Sequence, residues 1–199
     1  MPRVGLTPEV VIRAAGRLVD RDGPEGLTLA ALASELGVKP PSLYNHVDGL
    51  DDLERSVAIV GIDLLADALR DAAMGRSGRD ALWEVARAYR SVTRAHPGLY
   101  ALAQVARPGD EEYQDRARRA IEPVLAILSG YGIDGDDAIH ATRVIRSALH
   151  GFASLEAGQG FGIDLSVDET FDRTLEVLDE GLCAFTVRAG GTGAPAPPR

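Results

Sequence analysis

Apolar residues recur at intervals of three and four along nearly the whole chain, which is the repeat of one face of an α-helix. The breaks between these segments contain Gly and Pro, the residues that most often end helices. No alternating run is long enough to predict a sheet. No apolar run approaches the roughly 18–20 residues that a helix needs to cross a membrane. The sequence therefore predicts an all-α fold of about nine helices.

Charge is distributed unevenly along the 199 residues. Residues 1–47 carry five basic and five acidic side chains, whereas the rest of the chain carries 16 basic and 25 acidic ones. The net charge of −9 therefore arises outside the N-terminal quarter. Because an acidic surface repels a polyanion, any contact with nucleic acid should be sought near the N-terminus.

Two short amphipathic helices, joined by a tight turn, are predicted within residues 28–47. Thr28 can cap the first helix, and Gly37 suits the left-handed position that often ends one. Two such helices form a helix-turn-helix, whose second helix reads the major groove of DNA. An ordinary helical hairpin in an all-α core is the alternative. The residues predicted to face outward on the second helix are Lys39, Pro40, Pro41, Ser42, Tyr44, Asn45 and His46.

This segment resembles the DNA-binding unit of the TetR family of transcriptional regulators. The family's signature is a glycine turn followed by a Leu-Tyr-x-His run, which here is Leu43-Tyr44-Asn45-His46, and the match covers about residues 8–54. Further along, His96-Pro97-Gly98-Leu99-Tyr100 and Leu149-His150-Gly151-Phe152 resemble segments of one branch of the family's ligand-binding domains.

The resemblance implies specific contacts with DNA. Tyr44 and His46 are expected to contact the DNA backbone, and Thr28 to hold a phosphate through its hydroxyl and backbone N–H. Ser42 and Asn45 are the candidates for base reading, because an Asn that pairs with adenine contributes roughly 1–3 kcal/mol of discrimination. The rings of the two prolines at 40 and 41 are expected to touch a thymine methyl group.

The sequence departs from the family pattern at two places. Lys39, the only lysine of the chain, stands where a Ser or Thr often caps the recognition helix. The next helix begins with Asp48-Gly49-Leu50-Asp51-Asp52, which is acidic where a phosphate-contacting lysine is often found. Few cationic side chains are therefore available to neutralise phosphates, which predicts either a modest affinity for DNA or unusual contacts with the operator.

The last predicted helix carries an apolar stripe at strict 4-3-4-3 spacing, which fits a heptad seam. We expect a two-fold, four-helix interface between two copies, and the alternative is that the stripe packs within the chain. A dimer would present two recognition helices about 34 Å apart to a palindromic site. The residues predicted for dimerisation are Leu149, Phe152, Phe171, Leu175, Leu178, Leu182 and Phe185.

The middle helices carry aromatic and polar residues that a dry core would not favour. Apolar walls with a few polar anchors are typical of a small-molecule pocket, and the resemblance is the main support for one here. For each residue alone, a surface position or a satisfied core position is the alternative. The residues predicted to bind a ligand are Trp83, Tyr89, His96, Tyr100, Gln104, Arg146 and His150.

The predicted organisation follows from the resemblance and from the composition. Residues 1–49 form a helix-turn-helix DNA-binding domain, and residues 50–188 form a ligand-binding and dimerisation domain. Residues 189–199 are rich in Gly and Pro and are predicted to be a disordered tail.

The predicted function is a ligand-responsive transcriptional regulator, a repressor that binds a double-stranded operator as a homodimer and is released by a small molecule. The alternative is a helical small-molecule sensor or interaction protein that has lost operator binding. Four dispersed histidines and the lack of a metal or phosphate-loop motif argue against an enzyme. No cofactor, metal or membrane partner is expected. A single cysteine, Cys183, and an N-terminus without an apolar leader predict a cytoplasmic protein.

Overall fold

The computed structural model describes residues 6–189, which form α-helices and 3₁₀ helices without a strand. The all-α prediction is thereby confirmed within these residues. The α-helices are α1 (Pro8–Asp22), α2 (Leu29–Leu36), α3 (Leu50–Ala73), α4 (Gly78–Ala95), α5 (Pro97–Ala103), α6 (Glu111–Gly130), α7 (Gly135–Ala157) and α8 (Val167–Ala189). The 3₁₀ helices are Pro24–Gly26 and Pro40–Asn45. The predicted tail lies outside the described residues, apart from Ala189, which ends α8.

Local sequence signals place the ends of the first helices. Thr7 caps α1 through its side chain, and Thr28 caps α2 in the same way, since its Oγ1 accepts a hydrogen bond of 3.0 Å from the N–H of Ala31. Gly37 adopts φ +65°, ψ +31° after α2, which is the left-handed conformation predicted for it. The third predicted helix is a 3₁₀ helix, because it is only six residues long and opens with two prolines that donate no hydrogen bond.

The described chain divides into two compact units. The first comprises residues 6–67 and 92–118, and the second comprises residues 68–91 and 119–189. The predicted functional boundary after residue 49 does not coincide with this division and stays a prediction. None of the helices in residues 6–189 combines the length and the apolar character that a bilayer crossing demands.

The core of the first unit joins the helix-turn-helix to α1, α3 and α5. The second 3₁₀ helix and its flanks, residues 38–47, are called the recognition segment. Leu32 of α2 and Leu43 of this segment are completely buried, and Val47 is buried as well. Burying a Leu side chain stabilises a fold by roughly 1.5–3 kcal/mol. These apolar contacts therefore fix the recognition segment on the body of the unit while its polar residues face away.

In the second unit, the mostly buried guanidinium of Arg90 lies between two aromatic rings and two carboxylates. Arg90 of α4 lies 2.5 Å from Oε1 of Glu156 and 2.7 Å from Oδ1 of Asp168. Its guanidinium carbon lies 4.8 Å from the ring centre of Phe171 and 5.4 Å from that of Phe152. This cluster links α4 to α7 and α8, because each carboxylate and each ring belongs to one of those two helices.

Candidate nucleic-acid interface

The recognition segment is held by its buried residues and presents its polar ones. The turn before it is closed by a hydrogen bond of 2.9 Å from the N–H of Val38 to the carbonyl of Ala33. Leu43 and Val47 point into the core, so the intervening Tyr44 and Asn45 are exposed, Tyr44 by 59%. An aromatic residue left so open has no packing role that explains its position.

Seven of the eight residues predicted to bind DNA lie within residues 39–46, and the eighth, Thr28, caps α2, which packs against this segment. Lys39, Pro40 and Pro41 are exposed, whereas Ser42 and His46 are half-buried. Thr28 is exposed at the N-terminus of α2, and its hydroxyl keeps a proton to donate because the cap uses it only as an acceptor. Their contacts with DNA stay a prediction.

The acidic start of α3 has structural partners that the sequence did not indicate. Oδ2 of Asp52 accepts a hydrogen bond of 3.0 Å from the N–H of Asp48, so this carboxylate complements the exposed N–H groups and dipole of α3. Oδ1 of Asp51 lies 3.5 Å from Nη1 of Arg107, which belongs to the segment after α5. Part of the negative charge beside the recognition segment is thus balanced within the same unit.

A second ion-pair cluster fastens the segment between α5 and α6 to α3. Arg55 donates hydrogen bonds of 2.5 and 2.9 Å to Asp110 and one of 2.8 Å to Glu112. The hydrogen bonds from Arg55, together with one from the backbone N–H of Tyr113, lower the pKa of Asp110 from 3.8 to about 2. The hydroxyl of Tyr113 donates to the carbonyls of Ala103 and Val105 at the end of α5.

Helix α5 is also held at its N-terminus. Asp20 of α1 contacts three groups there, namely the His96 ring at 2.8 Å and the backbone N–H groups of Gly98 and Leu99 at 3.0 Å each. A carboxylate at this position satisfies orphan donors of the helix. The helix that follows α4 is therefore anchored directly to the first helix of the DNA-binding unit.

The residues predicted to bind a ligand are divided between the two units. His96, Tyr100 and Gln104 lie in the first unit, and the structure pairs His96 with Asp20. Trp83, Tyr89, Arg146 and His150 lie in the second. Tyr89 is buried, Trp83 and His150 are half-buried and Arg146 is exposed. Their roles in ligand binding stay a prediction.

The residues predicted for dimerisation are mostly core residues of the second unit. Phe185 is half-buried, and the other six are buried within the subunit, which is the alternative that the sequence left open. Their part in dimerisation stays a prediction. The exposed large apolar residues of the same two helices are Ile139, Val144, Leu155 and Val177.

The chain is similar to known regulators over most of its length. Residues 82–178 match a family model described as the tetracyclin repressor-like, C-terminal domain. An uncharacterized HTH-type transcriptional regulator of Mycobacterium tuberculosis is 42% identical over 187 residues, which are 93% of this chain and 85% of the relative.

Solved structures share the fold. The transcriptional regulator SCO7222, a TetR from Streptomyces coelicolor, has a TM-score of 0.70 at 20% identity, over 90% of this chain and 98% of that one. The TetR family protein ActR of the same organism, in complex with (S)-DNPA, has a TM-score of 0.62 at 21% identity, over 91% and 98% of the two chains. The fold, the helix-turn-helix and the close relative together show that this chain belongs to the TetR family of HTH-type transcriptional regulators.

Proposed function

We propose that the protein is a repressor that binds a palindromic operator as a homodimer and leaves it when a small molecule binds. The observation that carries this proposal is the recognition segment, in which buried Leu43 and Val47 hold exposed Tyr44 and Asn45 outward. A short helical element with this arrangement can enter the major groove of DNA, which is wide enough for a helix.

Each exposed residue of the segment has a distinct proposed role. Tyr44 and Thr28 donate their hydroxyl protons to phosphate oxygens, and His46 contacts the DNA backbone beside them. Asn45 reads a base edge, because its amide both donates and accepts hydrogen bonds. Lys39 is exposed and has no ion-pair partner among the side chains of residues 6–185, so its charge is available to a phosphate.

Regulation requires that the protein has two conformations, one that binds the ligand more tightly and another that binds the operator more tightly. The effector is proposed to bind in the helical domain that follows the helix-turn-helix. That a small molecule binds at all is supported by the family protein ActR, whose structure was solved in complex with (S)-DNPA. Helix α3 begins directly after the recognition segment and continues as one helix from residue 50 to residue 73, so it is the covalent route between the two domains. A ligand that favours one position of α3 would change the spacing of the two recognition segments.

The experiment is a titration of DNA from the protein's own promoter region, with unrelated DNA as control, at several salt concentrations. If Lys39 of each subunit neutralises one phosphate, Lys39→Gln lowers the slope of log K against log salt by about 1.8, because each phosphate contributes about 0.9. Arg76→Gln is the matched control, since Arg76 is exposed and the substitution removes one charge from the other unit.

The outcomes separate the two candidate functions. Specific binding that weakens with salt supports the repressor, and ligand screening can then use the operator so identified. A folded protein that binds neither the promoter DNA nor the unrelated DNA, even at low salt, overturns the proposal. That result favours a sensor that has lost operator binding. The acidic start of α3 would then be the first position to examine, because Asp51 is 95% exposed despite its contact with Arg107.

A further inference from the structure

A carboxylate inside the second unit is covered by an arginine that lies at the surface. The side chain of Asp179 on α8 is 12% exposed, whereas that of Arg79, in the first turn of α4, is 63% exposed. Nη1 of Arg79 lies 3.3 Å from Oδ2 of Asp179. A buried carboxylate is unfavourable unless a cation or hydrogen-bond donors compensate it. Asp179 therefore needs a cationic partner at this position, and a surface side chain now provides it.

The second partner of Asp179 is Tyr131, which directly follows α6. Its hydroxyl donates a hydrogen bond to Oδ1 of the carboxylate, whereas Arg79 contacts Oδ2. Burial and the hydrogen bond with Asp179 raise the pKa of Tyr131, so the hydroxyl keeps the proton that it donates. A Cβ added to Gly130 would lie 3.3 Å from the backbone nitrogen of Gly78, so the end of α6 lies against the start of α4. Backbone packing therefore holds Tyr131 in place, and Oδ2 of the carboxylate is the atom left to a cation.

An aromatic ring lies beside the same arginine. The guanidinium carbon of Arg79 lies 4.4 Å from the ring centre of Trp83, which is one turn further along α4. A cation within about 6 Å of a ring face is attracted by the electrons of the ring, and Trp is the best such partner. One guanidinium thus contacts both an indole face and a carboxylate oxygen, and both kinds of group attract organic cations.

The charge of the surrounding sequence favours a cationic ligand over an anionic one. Residues 168–180, which include Asp179, contain six acidic residues and one arginine. Glu176 and Glu180 are exposed on the same helix. An acidic surface raises the local concentration of cations and repels anions. The sign of this field agrees with the sign of the group that Asp179 binds.

The contact of Arg79 with Asp179 is of a kind that a free cation can replace. At 3.3 Å it is longer than the about 2.7–2.9 Å that is usual for a charge-assisted hydrogen bond. Arg90, by comparison, is 11% exposed and lies 2.5 and 2.7 Å from its two carboxylates. An ion pair that fixes a long, exposed side chain contributes little to stability. Arg79 can therefore leave Asp179 without disturbing the core.

We propose that Trp83, Tyr131 and Asp179 form a binding site for a planar organic cation of the guanidinium or amidinium class, which takes the place of the Arg79 side chain. The guanidinium now present indicates this class, because it is flat enough to stack on an indole and carries N–H donors for a carboxylate. The inference rests on the proposed function in one respect, since it identifies this cation as the class of the effector. Binding at the site itself does not depend on DNA.

The test removes the side chain of Arg79 and supplies its end group as a free molecule. Arg79→Ala uncovers the ring of Trp83 and Oδ2 of Asp179, and methylguanidinium has the shape and charge of the group removed. Trp83 is the only tryptophan of the chain, so its fluorescence reports this site alone. Methylguanidinium should change the emission of Arg79→Ala at about millimolar concentration, which is reasonable for so small a ligand. It should bind wild type about tenfold more weakly, because there Arg79 competes for the site.

Matched controls isolate the requirement for charge. Methylurea has nearly the same shape without the charge and should leave the emission of Arg79→Ala unchanged. Adding Asp179→Asn to Arg79→Ala should weaken binding of methylguanidinium by about tenfold or more, because the carboxylate is gone. Adding Glu180→Gln instead removes an exposed carboxylate at the next position and should leave binding unchanged. The comparison with methylurea uses Arg79→Ala alone, so it decides the charge requirement even where Asp179→Asn lowers stability.

The outcomes separate the site from its role in regulation. A folded Arg79→Ala protein that does not respond to methylguanidinium, or that responds equally to methylurea, overturns the site. Binding that Asp179→Asn leaves unchanged overturns the assignment to this carboxylate. Binding of methylguanidinium to Arg79→Ala without a change in operator affinity overturns the role of the cation as effector and supports the site. A protein that binds the cation but no operator supports the site and contradicts only the proposed function.

Discussion

Oδ1 of Asp20, near the end of α1, accepts a hydrogen bond of 3.0 Å from the backbone N–H of Gly98, in the first turn of α5. The two helices touch at this point, since a Cβ on Gly98 would lie 2.0 Å from the carbonyl oxygen of Val19. α1 also packs against α2, which is the first helix of the helix-turn-helix. A displacement of α5 would therefore move the recognition segment with it.

Replacing Asp20 by Ala should lower the free energy of unfolding by about 1–2 kcal/mol, because the N–H groups of Gly98 and Leu99 lose their acceptor. Urea unfolding of wild type and variant measures the difference. Asp22→Ala is the matched control two residues away, where the carboxylate is exposed and pairs only with Arg21. If Asp20→Ala and Asp22→Ala lower the free energy of unfolding equally, Asp20 does not cap α5.

Gly98→Ala should destabilise the protein by about 3 kcal/mol, since the new methyl group must push apart two backbones. Gly61→Ala tests the other side of α5, where a Cβ would lie 2.6 Å from the carbonyl oxygen of Leu99. Ala101→Ser, on the exposed face of the same helix, should change stability by less than about 0.5 kcal/mol. Thermal unfolding, monitored by circular dichroism, compares the stabilities of the three variants. A Gly98→Ala protein as stable as wild type would contradict the close contact between α5 and the backbone of α1.

The pairing of Arg55 with Asp110 predicts a specific acid sensitivity. The folded pKa of Asp110 is about 2, below its ordinary value of 3.8, so its contribution to stability is complete above about pH 4 and is lost as the pH falls toward 2. Asp110→Asn should therefore be less stable than wild type at neutral pH. The difference in the free energy of unfolding between the two proteins should become smaller as the pH falls from about 4 toward 2. Urea unfolding at a series of pH values tests this.

A second variant checks the physical cause of this shift. Arg55→Met removes the main group that lowers the pKa of Asp110, so its folded pKa should rise toward the unfolded value of 3.8 and the loss of stability between about pH 4 and pH 2 should become smaller than in wild type. If the difference in the free energy of unfolding between wild type and Asp110→Asn stays constant from neutral to acidic pH, the lowered pKa of Asp110 is not the source of the acid sensitivity.

The nine predicted helical segments could be read from the sequence because helical periodicity and caps are local. Thr28 and Gly37 illustrate this, since each acts on residues within a few positions of itself. The contact of Asp20 with Gly98 spans 78 positions, and no local pattern indicates it. The stripe from Phe171 to Phe185 shows a different limit, since a 4-3-4-3 spacing identifies an apolar face but not whether the same chain or a partner covers it.

Two variants of the recognition segment should separate affinity from specificity. Tyr44→Phe removes one proposed phosphate contact, so it should weaken binding to operator and to unrelated DNA by a similar factor, about tenfold or more, since a hydrogen bond to a charged group contributes about 1.5–3 kcal/mol. Asn45→Ala should weaken operator binding alone, by about 1–3 kcal/mol for each half-site, because base contacts carry the sequence information.

Fluorescence anisotropy with operator and unrelated duplexes at one salt concentration measures both effects. Gln114→Ala, an exposed amide on α6, is the matched control and should bind both duplexes like wild type. An Asn45→Ala protein that keeps its full preference for the operator would show that Asn45 does not read a base. The half-buried Ser42 would then be the remaining polar candidate for base reading, because Tyr44 and His46 face the DNA backbone in the proposed arrangement.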